Sequence, residues 1–236
     1  MKATQVLLCL LCIVLLSSCA QTRQARSVEK TGFLGDYSML REGGKGEALL
    51  VYRNPKVNWT SYSKVMVEPV TVWLGKDSQL LDVSPEDRQR MANDLWSKLI
   101  EVLRKDYEIV HQPGPGTLRI QAAITEAEES SMVLDTVSSV IPQMRAMSEA
   151  KYLVTGTAGF VGKASVEAKM TDSETGELLL AGVDRRAGSK NVRGALNSWN
   201  DVEEVHTYWA YQVGYRLCEL RGMTLDCIPP EKAMKK

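Results

Sequence analysis

Five cysteines and two histidines are the side chains best suited to chemistry in this sequence, and their spacing decides which chemistry is open. Cys9, Cys12 and Cys19 crowd the first twenty residues, Cys218 and Cys227 stand near the other end, and His111 and His206 lie far apart. A zinc site draws on clustered Cys and His ligands, and neither histidine has a neighbour at such spacing. No G-x-S-x-G occurs to hold a serine nucleophile at a strand-to-helix turn, although a triad is set by geometry rather than by spacing. GTAGFVGKAS, Gly156 to Ser165, approaches a phosphate loop, but five residues rather than four separate Gly156 from Gly162, and Ala164 replaces the hydroxyl residue. A strand pattern follows where a helix N-terminus would have to supply the amide cradle. The stretch reads as a tight lead into a hairpin. Asp172, Glu174 and Glu177 gather at that hairpin's turn, and turn chemistry accounts for them. No metal, cofactor or catalytic residue is expected.

Cys19 has a different setting. Lys2 is followed by the apolar run Val6 to Leu16, far short of the roughly 20 residues a bilayer-spanning helix needs. The run has the form of a signal-peptide core behind a charged start. Leu16, Ser17, Ser18 and Cys19 resemble the lipobox of bacterial lipoproteins, in which the cysteine becomes the first mature residue. That resemblance implies a diacylglyceryl thioether and an N-acyl chain on Cys19, a multi-chain anchor that holds far more firmly than one acyl group. Ala20 is not the aspartate that retains many such lipoproteins at the inner membrane, which implies the outer membrane with the domain in the periplasm. Residues 1–18 are then the signal peptide. Residues 19–31 form the lipidated cysteine and a polar tether able to reach roughly 20 Å.

Cysteine parity follows from that reading. With Cys9 and Cys12 removed and Cys19 acylated, Cys218 and Cys227 remain as an even pair in an oxidising compartment. Gly222 between them can end a helix and let the chain turn back. A structural disulfide is the expectation, against two free thiols or a redox or metal role. The 29 basic and 29 acidic residues balance, which gives no support to a nucleic-acid partner.

The remaining sequence is read for the elements that carry these residues. Phe33, Leu34, Tyr37 and Leu40 are candidate packing anchors. SKVMVEP alternates as a strand that ends or bulges near Pro69. Ser84-Pro85-Glu86-Asp87 starts a helix, with Met91, Leu95, Leu99 and Val102 as its buried stripe and Trp96 and Leu103 beside it. A short strand, DYEIVH, precedes TLRIQAAITEA, in which Leu118, Ile120, Ala122 and Ile124 point inward and Arg119, Gln121 and Thr125 outward. In the hairpin, Ala164, Val166, Ala168 and Met170 alternate with Ser165, Glu167, Lys169 and Thr171, and ELLLAGVDRR returns. Asn200 and Glu203 have capping-box spacing for a last helix with Val202, Val205, Trp209, Val213, Leu217 and Leu220 on its apolar face. Val133, Val137, Val140, Met144 and Met147 fit one further helical face, a buried crossover or an adaptable contact surface.

The predicted architecture is α+β: one domain over 32–228 with a largely antiparallel mixed sheet packed by two long amphipathic helices, and a basic tail over 229–236. With the lipobox, GFLGDYSML (32–40), VMVEPVTVW (65–73) and GFVGKASVEAKMTDSETGELL (159–179), the chain resembles the bacterial lipoprotein family called domain of unknown function 3313. The element order also resembles the amino-terminal domain of TolB, a likeness of fold only. The resemblance implies an envelope protein and supplies no activity. The expected role is a non-catalytic binding or scaffold module whose partner is an envelope protein, peptidoglycan or its own copies. The alternative is an envelope hydrolase acting on cell wall or lipid through a site scattered in sequence.

Overall fold

A computed structural model describes residues 22–75, 78–128, 162–188, 199–223 and 225–235. The candidate helix over Val133–Met147 and most of the glycine-rich stretch fall outside these residues, as does Cys19.

Among the described residues nine strands form one mixed sheet: β1 (Arg23–Gln24), β2 (Arg41–Glu42), β3 (Leu50–Arg53), β4 (Lys64–Val67), β5 (Thr71–Val72), β6 (Glu108–Ile109), β7 (Thr117–Glu128), β8 (Lys163–Asp172) and β9 (Leu178–Ala187). Their order is β2-β3-β9-β8-β7-β4-β6. β4 and β5 run parallel to β7 as one broken strand, interrupted at Pro69, which has no N–H for the ladder. On the far side β3 and then β1 pair antiparallel with successive parts of β9. The central β7-β8-β9 ladder is antiparallel throughout.

Helix α1 (Pro85–Leu103) begins as its sequence implies: the Asp87 N–H donates to Ser84 Oγ, proline takes the first turn, and Glu86 and Asp87 face the positive end of the dipole. Its fully buried stripe is Met91, Leu95, Leu99 and Leu103. Val102, assigned to that stripe from spacing, instead meets the second helix, α2 (Asn200–Leu220). A Cβ built on Gly214 of α2 would lie 2.7 Å from Val102 Cγ1, so glycine sets the distance between the helices. The capping box of α2 is not formed, because Asn200 already lies inside the helix and Trp199 takes the cap position without a side-chain bond.

Two further expectations change. Thr125, expected outward, is buried, because a bulge between Ile124 and Glu126 shifts the phase of β7. Ser165 and Glu167, expected on a polar face, are buried as well: residues 31–37 lie over Glu167, and Ser165 Oγ donates to Glu126 at 2.6 Å. The stretch read as a flexible tether supplies β1. Thr22 and Ala25 are buried, and Thr22 Oγ1 accepts from Arg186 Nε at 2.9 Å. Ladder bonds and a buried partner hold that polar segment although it lacks an apolar pattern.

Gly222, at φ +80°, ends α2 in the left-handed region. The chain turns back there, and Cys218 and Cys227 are joined with their Cα atoms 5.7 Å apart. The tail is not simply solvated: α3 (Pro230–Ala233) packs on α2, and Tyr208 donates to Glu231 at 3.2 Å.

Replacing Cys218 and Cys227 with serine is expected to lower stability by about 2–3 kcal/mol on loop-closure grounds. Urea unfolding of the double variant against the parent measures it, with equal midpoints counting against a closed loop. Gly214→Ala is expected to cost about 1–3 kcal/mol by overpacking. Val102→Ala introduced with it should recover part of that loss, and thermal melts of both variants check the pair.

Candidate functional site

Ala122 on β7, Ala168 on β8 and Gly182 on β9 fall in register on one row across the three central strands. Their side chains are too small to reach the helices, and a cavity of about 390 Å³ opens above them. Isoleucine, methionine and leucine at Ile120, Met170 and Leu180 form the next row, Leu95 and Leu99 of α1 and Val213 and Leu220 of α2 the roof. The lining residues include no serine, threonine, cysteine or histidine. Ala168 is only partly buried although it faces inward, which the hollow explains.

Charge is confined to the rim and to one end. At the mouth, Arg41 pairs with Glu47 at 3.2 Å and Arg216 with Glu219 at 2.7 Å. Burial raises the Glu47 carboxyl less than its Gly44 N–H and Arg41 bonds lower it, so it stays below its usual range. Arg53 projects on the same face as Leu180, its register partner, and has no ion-pair or hydrogen-bond partner among the described residues. The loop carrying Gly46 is fastened to α2, because the Gly46 carbonyl accepts from Gln212 Nε2 at 2.5 Å and from Arg216.

At the inner end stands Asp184, 4% exposed. Its Oδ1 accepts from Gln24 Nε2 at 2.6 Å and the Leu49 N–H at 3.3 Å, and its Oδ2 from Trp209 Nε1 at 2.8 Å. Burial pushes its carboxyl up, against the lowering effect of Arg186 at 3.8 Å. The Arg186 guanidinium in turn lies 3.5 Å from the Tyr208 ring centre, and burial raises that phenol to about 12.

Other buried titratable groups lie away from the cavity. Glu167, fully buried, accepts from the Thr31 N–H at 2.7 Å, Thr31 Oγ1 at 2.9 Å, the Leu34 N–H at 3.2 Å and the Tyr37 hydroxyl at 2.5 Å. Phe33 and Lys169 sit beside this clasp, the Phe33 ring edge-on to Trp73. His206 is also fully buried, where α1 and α2 meet; its Nδ1 donates to Asp94 Oδ2 at 2.8 Å, and Lys98 donates to the same oxygen. This is the arrangement of a base and its orienting carboxylate, yet neither residue lines the cavity, and His206 Nε2 has no hydrogen-bond partner among the described residues. His111 lies exposed in a turn.

Among the described residues no group of three His, Cys, Asp or Glu side chains could hold a metal ion, and no helix is long and apolar enough to cross a membrane. Spacing could not have found the cavity, because its floor is assembled from three strands. Glu167 carried no legible signal, because it alternates with Ser165, Lys169 and Thr171 as a solvent-facing residue would.

The family model described as "Protein of unknown function (DUF3313)" matches residues 29–213. No curated protein matches the chain. Among solved structures, a Xanthomonas campestris protein of the family model DUF330 is 11% identical at a TM-score of 0.41, covering 73% of this chain and 94% of that one. A candidate lipoprotein from Caulobacter crescentus CB15 is 11% identical at 0.38, covering 70% and 95%. The PelC dodecamer from Paraburkholderia phytofirmans is 12% identical at 0.36, covering 66% and 86%. Likenesses this distant carry no argument about activity or assembly here.

Burial holds the His206 imidazole below its ordinary 6.5 despite the pull of Asp94. The unfolded chain therefore takes a proton near pH 6.5 that the folded state refuses, so this contribution to stability is full above about 6.5 and falls away below it. Burial works against the Asp94 carboxylate, but the His206 and Lys98 bonds outweigh it and keep Asp94 titrating below 3.8, under this window. The thermal midpoint should drop between pH 7.5 and 5.5, and His206→Gln should flatten that drop. Parallel pH slopes for the two proteins would show that His206 is not responsible.

Proposed function

The chain belongs to the DUF3313 family, and from that premise we propose that it is an outer-membrane lipoprotein whose periplasmic domain is a non-catalytic binding module. The cavity under α2 carries the binding reading. It is a half-open, largely apolar cleft set between the layers of the domain, the ordinary setting of a ligand site. Its carboxylates are engaged: Glu47 and Glu219 in rim ion pairs, Asp184 with three donors. Among the described residues that line it, no serine, threonine or cysteine stands beside a base, and binding is favoured over hydrolysis.

The anchor reading rests on the apolar run before Leu16 and on the residues Leu16 to Cys19. If Cys19 carries the acyl chains, only Ala20 and Gln21 separate it from Thr22, whose hydroxyl and carbonyl take the Arg186 guanidinium. Three residue steps span at most roughly 10 Å. The domain is then seated on its membrane by the β1 edge rather than carried on a long tether.

Cys19→Ser is expected to abolish incorporation of an alkyne-labelled acyl donor and to leave the precursor in the inner membrane. Density-gradient fractionation with in-gel detection measures both. Normal outer-membrane recovery of the variant would overturn the anchor.

A further inference from the structure

We propose that the cavity binds one acyl chain with an anionic head, a single-chain amphiphile of the fatty-acid class, tail inward and head at Arg53. The proposal rests on the binding-module reading and names its ligand. Protein interiors are close-packed, with few voids larger than a water molecule. A space of about 390 Å³ is therefore not a packing defect. It lies near the lower end of the roughly 300–1,000 Å³ of ligand pockets, which suits one chain better than the several of a membrane lipid. Its interior surfaces are Leu95, Leu99, Ile120, Val166, Met170 and Leu180, which offer water no hydrogen bonds. A hydrocarbon is what such a slot receives at least cost. The Ala122–Ala168–Gly182 row gives it a floor that crosses three strands, a width of about 10 Å at the usual strand spacing.

The rim decides the other end of the ligand. Arg41 and Arg216 are each matched by a glutamate and Lys169 lies over the Phe33 ring, whereas Arg53 is the lining cation without a partner among the described residues. A guanidinium accommodates a carboxylate through two parallel hydrogen bonds. An anionic head therefore completes the mouth, and a neutral head leaves Arg53 as it is. The opposite end is closed by Asp184, whose burial among three donors gives a charged head no place inside.

The test uses the chain from residue 19 with Cys19→Ser, so that its own acyl groups cannot compete, purified without detergent. Displacement of a fluorescent fatty acid is measured with saturated carboxylates of about ten to eighteen carbons and with their methyl esters. Affinity should rise about fourfold per added methylene until the slot is full, then level off. Arg53→Ala should weaken the carboxylates several-fold and leave the esters unchanged. Ala168→Leu should weaken all ligands at least tenfold while the thermal midpoint stays level or rises, because it fills the floor. Gly182→Val is the second filling variant: a Cβ there meets Ala48 Cβ at 3.5 Å, an ordinary contact. Absence of saturable binding at every chain length, or unchanged binding in both well-folded filling variants, would overturn the proposal. In-cell crosslinking to a defined protein that persists in Ala168→Leu would, alongside such a failure, leave the binding-module reading standing and remove this one.

Discussion

The buried carboxylate of Asp184 draws three elements, β1, the loop before β3 and α2, onto a single side chain of β9. Taking a carboxylate out of water costs several kcal/mol unless donors replace the water. Here the donors come from β1 through Gln24, from the loop before β3 through the Leu49 N–H, and from α2 through Trp209. Each of those elements is far from Asp184 in sequence or in a separate layer. None can leave without orphaning a buried charge, a larger penalty than the loss of an ordinary hydrogen bond. Arg186, two residues on and on the same face, repeats the device by holding Thr22 and lying on Tyr208.

Glu167 does the same on the other face of the sheet. Four donors from residues 31–37 converge on one acceptor pair, a match for a carboxylate, which when ionised only accepts. The amino-terminal segment thus lies across the face that the helices leave open, although its own side chains are only half-buried. The sheet is covered on one side by apolar helices and on the other by a polar clasp, and the two coverings obey different physics. Helix burial scales with apolar area, whereas the clasp depends on a few directional bonds.

That difference explains what could be read in advance. α1 was legible because Ser84, Pro85 and the four-residue stripe are local signals that agree. The β8–β9 hairpin and the break at Pro69 were legible for the same reason. The α+β class followed from their order. Glu167 and Ser165 were misread because alternation marks a face as polar without telling whether water or another polar segment covers it. β1 was misread as tether because its ordering comes from Arg186 and β9, more than 160 residues away. Asn200 shows the limit of spacing rules: the capping-box pattern is present, but Asn200 is the first helical residue and the cap falls on Trp199. The cavity is of the same kind as β1, since its floor exists only once register sets Ala122, Ala168 and Gly182 side by side.

A hollow this large should collapse unless something resists, because each wall atom without a neighbour forfeits dispersion contacts. Resistance comes from polar struts along the middle of α2. Trp209 is fixed to Asp184, and Gln212 and Arg216 are fixed to the Gly46 carbonyl. Between these points Val102 settles into the space at Gly214, which holds α2 against α1. Moving α2 toward the small-residue row would stretch the bonds to Asp184 and Gly46 or open the helix contact. The roof is thus held by directional bonds, and the hydrophobic effect that would close the slot acts instead on whatever apolar chain can enter it.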